Sequence, residues 1–162
     1  AGVELIALEQ RESLLRKALA PVRDVYDFIF IDCPPSLELL TLNALCAADS
    51  VLVPVQGEYY ALEGLSDLMN TIRVVSRSLN TKMGLEAVLL TMFDGRTNLA
   101  LQEAEEVKHY FPGNVYATVV PRNVRLSEAP SHGKPIAAYD RTSRGAEAYT
   151  ALAAEFLKRQ TP

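Results

Sequence analysis

The sequence predicts an α/β fold in which helices cover both faces of a doubly wound, mostly parallel sheet. Apolar runs of strand length alternate along the chain with segments of helical periodicity. The run at residues 28–31 shows no polar alternation, which is typical of a strand covered on both faces in a parallel sheet. Polar or turn-forming residues follow each run, and strand–helix alternation of this kind implies right-handed crossovers.

The size and composition are those of one ordinary domain covering residues 1–162. Of these residues, 49% are apolar and 22% are charged, which excludes a disordered or collagen-like chain. The formal charge of −4 argues against a protein whose whole surface binds nucleic acid. Two cysteines support neither a disulfide framework nor a zinc site, and no apolar run approaches the roughly 20 residues that cross a bilayer. We therefore expect a cytoplasmic protein with no membrane partner, and the start at Ala1 suggests a segment of a longer polypeptide.

The first predicted elements are a helix, a strand and a second helix. Residues 9–20 carry apolar side chains at helical spacing and stop at Pro21, which predicts an amphipathic helix. The run Phe-Ile-Phe-Ile at residues 28–31 predicts a strand buried on both faces. Ser36 is expected to cap the next helix, which reaches Ala47.

The remaining elements follow from the same two patterns, mainly apolar runs of strand length for strands and a period of three to four residues for helices. They are a strand at residues 50–55, a helix at 61–79, a strand at 85–92, a helix capped by Asn98, a strand at 115–120 and a helix at 143–159. Pro130, Gly133 and Pro135 predict a long loop before the last helix.

Unusual residues follow the ends of the four predicted strands. In a parallel sheet these positions meet at the carboxyl edge, where ligands bind. The four segments are Asp32-Cys33-Pro34-Pro35, Gln56-Gly57-Glu58, Asp94-Gly95-Arg96 and Pro121-Arg122-Asn123. We expect them to converge on one edge.

Asp32 is a candidate ligand for a hydrated Mg²⁺ ion, because a rigid buried strand would fix its carboxylate beside bound phosphates. The alternative is an aspartate that caps the following helix, and the pattern alone favours neither. No G-x-x-x-x-G-K-[ST] or G-x-G-x-x-G motif occurs in the sequence. The chain therefore carries half of a nucleotide site, with an acid for the metal and no loop for the triphosphate.

The charge of the chain is unevenly distributed. Residues 1–121 hold 9 basic and 16 acidic groups, whereas residues 122–144 hold five basic and two acidic groups. The five are Arg122, Arg125, Lys134, Arg141 and Arg144. This basic segment, residues 122–144, can bind phosphates while the rest of the chain repels them. The alternative is a solvated face whose arginines pair with nearby acids.

Six sequence blocks resemble the ParA/Soj family of chromosome- and plasmid-partition ATPases. They are YDFIFIDCPPS at 26–36, LLTLNAL at 39–45, VPVQ at 53–56, ALEGL at 61–65, DGRT at 94–97 and PRNVRLSEAPSHGKP at 121–135. The resemblance extends from residue 22 onward, and the last block is highly specific. It implies a fold like that of P-loop NTPases, incomplete at the amino terminus. Members of the family begin with a strand and a lysine-rich P-loop that this chain lacks, so the segment alone is not expected to hydrolyse ATP, and residues 28–31 would lack a neighbouring strand.

The resemblance also implies roles for individual residues. Asp32 would hold the Mg²⁺ hydration shell, and Glu58 would reach the nucleotide of the opposite subunit. Pro121, Arg122 and Asn123 would lie along the adenine. Arg96 and Arg125 would bind nonspecific DNA in the ATP-bound dimer, which for Arg125 agrees with the charge distribution.

The function implied by the resemblance is that of a partition ATPase that uses ATP and Mg²⁺. ATP binding would form a homodimer that binds the nucleoid, and a DNA-bound ParB-like partition protein would stimulate hydrolysis and release. One alternative is a switch ATPase of the MinD type that acts on membranes. Another is a non-catalytic binding module that never held a P-loop.

Overall fold

The structure, a computed structural model, describes residues 10–34, 38–56 and 61–160. Two compact units are formed by Ala1–Val51 with Gly64–Leu85 and by Leu52–Glu63 with Glu86–Pro162. Among the described residues, no helix has both the length and the apolar character that a membrane span requires. The prediction of one domain over the whole chain stays a prediction.

The described elements confirm the α/β class. The helices are α1 (Leu14–Leu19), α2 (Leu39–Ala47), α3 (Ala61–Ser78), α4 (Asn98–Tyr110), α5 (Val124–Glu128), α6 (Ile136–Tyr139) and α7 (Arg144–Gln160). Short 3₁₀ turns lie at Arg11–Ser13, Ala20–Val22 and Ala129–His132. The strands β1 (Ser50–Gln56) and β2 (Gly84–Thr91) form a two-stranded sheet. Two parallel bridges join Val88 of β2 to Val115, and Phe93, just after β2, to Pro121.

In the first unit, two buried asparagines satisfy backbone groups that the helix ends leave without partners. Asn43 accepts from the amide of Leu15 (3.1 Å) and donates to the carbonyl of Arg11 (2.8 Å), which ties α1 to α2. Asn80 donates to the carbonyls of Leu45, Cys46 and Ala48 at 3.0, 3.2 and 2.7 Å. Its side chain therefore caps the carboxyl end of α2, a role that no sequence pattern indicated.

The predicted strand at residues 28–31 is wrong. This stretch forms neither helix nor strand, and Phe28 and Phe30 are 42% and 75% exposed. The sheet of the described residues contains β1 and β2, so no described strand pairs with residues 28–31. An apolar run forms a buried strand only when a neighbour supplies the hydrogen-bond ladder and the cover.

In the second unit, the predicted strand at residues 115–120 follows β2 in parallel but is not a regular strand. The amide of Tyr116 donates to the carbonyl of Val88 (2.9 Å), and that of Val120 donates to the carbonyl of Leu90 (2.9 Å). Between these two hydrogen bonds the segment advances four residues, from Tyr116 to Val120, whereas β2 advances two, from Val88 to Leu90. The buried cluster beside it consists of Ala87, Leu89, Tyr116 and Val120, with Leu52, Leu126, Leu152 and Phe156 packed against it.

Several predicted boundaries need correction. Thr97, not Asn98, caps α4, because its hydroxyl accepts from the amide of Ala100 (3.3 Å). The loop predicted around Gly133 instead contains the short helices α5 and α6 and the 3₁₀ turn between them. Pro21 lies within a 3₁₀ turn that follows α1. The cap predicted at Ser36 lies outside the described residues.

Gly145, at the start of α7, allows that helix to approach Leu126 of α5. A Cβ atom at Gly145 would lie 2.6 Å from Leu126 Cγ. Alanine is the better helix former by about 1 kcal/mol, but overpacking of this kind costs about 1–3 kcal/mol. We expect Gly145→Ala to lower the melting temperature by a few degrees in thermal unfolding.

Gly84→Ala is the matched control for Gly145→Ala, because nothing lies within 4 Å of a Cβ atom built at Gly84. Its melting temperature should equal that of the unsubstituted protein or exceed it slightly. Equal melting temperatures for the two variants would contradict the tight contact between α5 and α7.

Candidate functional site

The carboxyl end of β2 brings two of the predicted segments together. The amide of Phe93 donates to the carbonyl of Val120 (3.1 Å), and the amide of Arg122 donates to the carbonyl of Phe93 (3.2 Å). This pairing places Asp94-Gly95-Arg96 beside Pro121-Arg122-Asn123. The convergence predicted from the sequence is therefore observed for these two segments, whereas Asp32 belongs to the first unit and Glu58 lies outside the described residues.

Arg96 is held by the carboxylate of Asp94. Arg96 Nε donates to Asp94 Oδ1 (2.8 Å), and Arg96 Nη2 donates to Asp94 Oδ2 (2.6 Å). The Arg96 side chain is nevertheless 88% exposed. Hydrogen bonds from the Arg96 side chain and backbone lower the pKa of Asp94 to about 2, and the charge of Arg122 acts in the same direction. The result is a guanidinium with fixed orientation and solvent access.

Asn123 fixes the start of α5, the helix that carries Arg125. Its Oδ1 atom accepts from the amide of Arg125 at 2.8 Å, the bond typical of a helix N-cap. The same residue was predicted to lie along an adenine. Its carboxamide oxygen is therefore engaged by the helix, and its Nδ2 group remains the one able to donate elsewhere.

Arg125 contacts two carboxylates of the basic segment. Arg125 Nη1 lies 2.9 Å from Glu128 Oε2, and Arg125 Nε lies 3.3 Å from Asp140 Oδ2. Glu128 Oε2 also accepts from the hydroxyl of Tyr139 (3.2 Å), whose ring stacks on His132. The Arg125 hydrogen bond, aided by that of Tyr139, lowers the pKa of Glu128, and the same contact raises the pKa of Arg125. The Arg125 side chain remains 54% exposed.

The basic segment has features of both interpretations drawn from the sequence, a phosphate-binding surface and a solvated face with paired arginines. All five of its cations are exposed. Arg125 pairs with acids, as the solvated-face interpretation predicts. Within the parts of the chain that the structure describes, no carboxylate pairs with Lys134, Arg141 or Arg144. The segment therefore presents a net positive surface in which Arg125 is partly neutralised.

Asp32 lies in the irregular stretch after residue 25, and it is exposed. It does not cap the following helix, because α2 begins at Leu39 and its N-cap residue is Glu38. Among the described residues, no cluster of three or more acidic, histidine or cysteine side chains could hold a metal. Mg²⁺ is commonly bound through one or two carboxylates, with water and phosphate completing its shell. A single accessible carboxylate fits that manner of binding.

Glu155 of α7 contacts the irregular segment after Val115, a contact that no motif in the sequence predicts. Its carboxylate accepts from the amides of Ala117 and Thr118, both at 2.8 Å. Arg159, one helical turn later, donates to Glu155 Oε1 (3.0 Å) and to the carbonyl of Val115 (2.8 Å). An acid and a base four residues apart on one helix were the only signal in the sequence, and this spacing is common on solvated helices.

Comparison with known proteins identifies the family. A family model described as an AAA domain matches residues 1–85. The chain belongs to this AAA-domain family. The sporulation initiation inhibitor protein Soj of Bacillus subtilis is 63% identical over 155 residues, which cover 96% of this chain and 61% of that protein. The chromosome partitioning protein ParA of Myxococcus xanthus is 59% identical over 162 residues, which cover 100% of this chain and 57% of that protein. The predicted resemblance to ParA/Soj ATPases is therefore confirmed.

A solved structure confirms the fold of this AAA-domain chain. The cobyrinic acid a,c-diamide synthase of Mycobacterium smegmatis, with a bound ATP analog and magnesium, aligns with a TM-score of 0.79 and 32% identity. The alignment covers 97% of this chain and 57% of that protein. The chain spans about three-fifths of the length of the curated relatives it matches, 61% and 57%.

Proposed function

We propose that this chain is the carboxyl-terminal part of an ATP-dependent partition ATPase that acts as a nucleotide-switched dimer and binds nonspecific DNA. The observation that carries the proposal is the pairing of Phe93 with Pro121. It joins the segment of Arg96 to the segment that leads into Arg125, so the two arginines implied in DNA binding come from adjacent parts of one unit. The similarity to Soj and to a chromosome partitioning ParA supports the same function.

DNA recognition by this surface depends on phosphates. Arginine presents a planar fork of donors that matches phosphate oxygens, and phosphate contacts carry no sequence information. The acidic remainder of the chain repels DNA, so one copy of the surface binds weakly. In an ATP-bound dimer, the second copy engages at a high effective concentration, and two weak surfaces become one strong surface.

The nucleotide would control this dimer. Asp32 would hold Mg²⁺ through its hydration shell, Glu58 would reach the nucleotide of the opposite subunit, and Pro121, Arg122 and Asn123 would contact the adenine. ATP supplies a γ-phosphate that is present in only one of the two states, which is the basis of a switch. A DNA-bound ParB-like protein would stimulate hydrolysis and return the protein from the nucleoid to the cytoplasm.

DNA must compete with Glu128 for Arg125. We expect Glu128→Gln to tighten DNA binding several-fold at low salt, because it removes a charge 2.9 Å from the guanidinium and keeps an acceptor for Tyr139. The gain in affinity should shrink as the salt concentration rises, because salt screens the repulsion between exposed charges. At 0.1 M salt this repulsion is largely screened beyond about 10 Å. Fluorescence anisotropy with labelled duplex DNA measures the affinity and its dependence on salt.

The matched control for Glu128→Gln is Glu147→Gln, which removes the same charge from an exposed position on α7. Arg125 contacts Glu128 and Asp140 but not Glu147 among the described ion pairs. If both variants tighten binding equally, net charge rather than the Arg125 contact governs DNA affinity.

The proposed function is tested with the full-length protein, duplexes of unrelated sequence, and ATP, ADP or no nucleotide. We expect tight binding with ATP alone and equal affinity for the different duplexes. ATP-dependent pelleting with lipid vesicles, without DNA binding, would instead support the MinD-type alternative. A protein that responds to neither nucleotide nor DNA would support the non-catalytic module, as would the absence of a coding sequence for G-K-[GT]-[GT] upstream of codon 1.

A further inference from the structure

The segment after Val115 could pair with β2 in two registers. From the bond between Tyr116 and Val88, a regular parallel ladder would give the carbonyl of Leu90 to the amide of Thr118. The structure gives that carbonyl to the amide of Val120 instead. Because side chains alternate with a period of two, a shift of two residues leaves every side chain on its face. Apolar burial therefore does not select between the two registers.

Glu155 supplies the selection. Its two carboxylate oxygens accept from the amides of Ala117 and Thr118 at 2.8 Å each, so the Thr118 amide is unable to bond Leu90. The side chain is only 19% exposed. Burial alone would raise the pKa of Glu155, but the hydrogen bonds from Ala117, Thr118 and Arg159 outweigh it and lower the pKa. The carboxylate is therefore charged at neutral pH, and each of its two oxygens accepts a backbone hydrogen bond.

Separate contacts hold Val115 and Tyr116, the residues that precede the irregular part of the same segment. Arg159 donates to the carbonyl of Val115 and stacks over the ring of Tyr116, with Cζ 4.3 Å from the centroid. The hydroxyl of Tyr116 donates to Glu86 Oε1 (3.2 Å). With Val115 and Tyr116 held, loss of the Glu155 contacts would act on the residues that follow. In the regular register, Pro121 would extend beyond the sheet by two residues, or about 6–7 Å.

We propose that Glu155 is a positioning residue for recognition of the nucleotide base. By keeping the amides of Ala117 and Thr118 out of the β2 ladder, it holds Pro121-Arg122-Asn123 beside Phe93, where this segment can read an adenine edge. The inference rests on the proposed function, since that function assigns the segment to adenine. Glu155 itself touches no nucleotide in this scheme and acts through the segment.

The test uses the full-length protein and compares Glu155→Gln and Glu155→Ala with Glu147→Gln, an exposed acid on the same helix. Binding of ATP and GTP is measured separately, because the two nucleotides share the triphosphate and differ in the base. We expect the preference for ATP over GTP to fall about tenfold or more in both Glu155 variants and to stay unchanged in Glu147→Gln. Hydrogen exchange of the nucleotide-free Glu155 variants should be faster at Ala117, whose amide loses its Glu155 partner, whereas Thr118 should stay protected because its amide then bonds the carbonyl of Leu90.

The outcomes separate positioning from a purely structural role. If Glu155→Ala lowers the melting temperature but weakens ATP and GTP binding equally, Glu155 only stabilises the fold and the inference is wrong. A wild-type protein that binds both nucleotides with equal affinity would have no base selection to position, which also overturns the inference. A wild-type protein that binds no nucleotide refutes the proposed function itself. Unchanged hydrogen exchange at Ala117 in Glu155→Gln refutes the register mechanism independently.

Discussion

Arg125→Ala in the full-length protein is expected to weaken ATP-dependent DNA binding to the same extent for every duplex sequence. Each phosphate contact contributes about −0.9 to the slope of log affinity against log salt, so loss of one contact per chain in a dimer should reduce that slope by about 1.8. At 0.1 M salt the affinity should fall by about an order of magnitude per chain. Anisotropy titrations at four or more salt concentrations give the affinity and the slope together.

Arg77→Ala is the matched control for Arg125→Ala. It removes the same charge from an exposed position on α3, outside the basic segment. We expect its salt slope to equal that of the wild type. Equal slopes for Arg125→Ala and the wild type would remove Arg125 from the DNA interface. A loss confined to some duplex sequences would mean that Arg125 reads bases rather than phosphates.

Asp32→Asn is expected to slow Mg²⁺-dependent ATP hydrolysis by the full-length protein strongly. A bound metal contributes several kcal/mol of charge stabilisation in phosphoryl transfer, so its loss should lower the rate by about a hundredfold or more. The variant keeps the size of the side chain and removes the anionic ligand that Mg²⁺ prefers. The measurement is the hydrolysis rate across a Mg²⁺ titration, with ATP-dependent DNA binding as a second readout.

Asp27→Asn is the control for Asp32→Asn, because Asp27 is an exposed aspartate in the same irregular stretch. It should hydrolyse ATP at the wild-type rate with the wild-type dependence on Mg²⁺. Hydrolysis by Asp32→Asn at the rate of this control would show that Asp32 does not hold the metal.

The elements that were well predicted from the sequence are those whose bounds follow from a clear apolar pattern. The strands β1 and β2 and the helices α3 and α7 begin and end within about a residue of their predicted bounds. An apolar period reports which faces a segment can bury. It does not report whether a neighbouring strand is present, which is why the prediction for residues 28–31 failed.

The irregular segment after Val115 could not be predicted for a different reason. Its register depends on Glu155, which lies 38 positions beyond Ala117 and belongs to a helix that reads as solvated on its charged face. The helix α5 was missed because Pro130 and Gly133 suggested a loop. Asn123 is nevertheless a good N-cap residue directly before it, and this signal was present in the sequence.

Residues of the candidate site were predictable where the charge distribution or the family resemblance pointed to them. Charge distribution and resemblance both named Arg125, and resemblance named Arg96. The pairing of Arg125 with Glu128 could have been anticipated from their spacing of three residues on one helix. The contact with Asp140 could not, because it requires the chain to turn back through the 3₁₀ segment and α6.

The most direct test of a nucleotide-switched, DNA-binding dimer is sedimentation velocity of the full-length protein with ATP, with ADP and without nucleotide, each with and without duplex DNA. ATP should convert the protein from monomer to dimer, and only the ATP sample should co-sediment with DNA. A protein whose mass and DNA binding are the same in all three nucleotide states would contradict the proposed function.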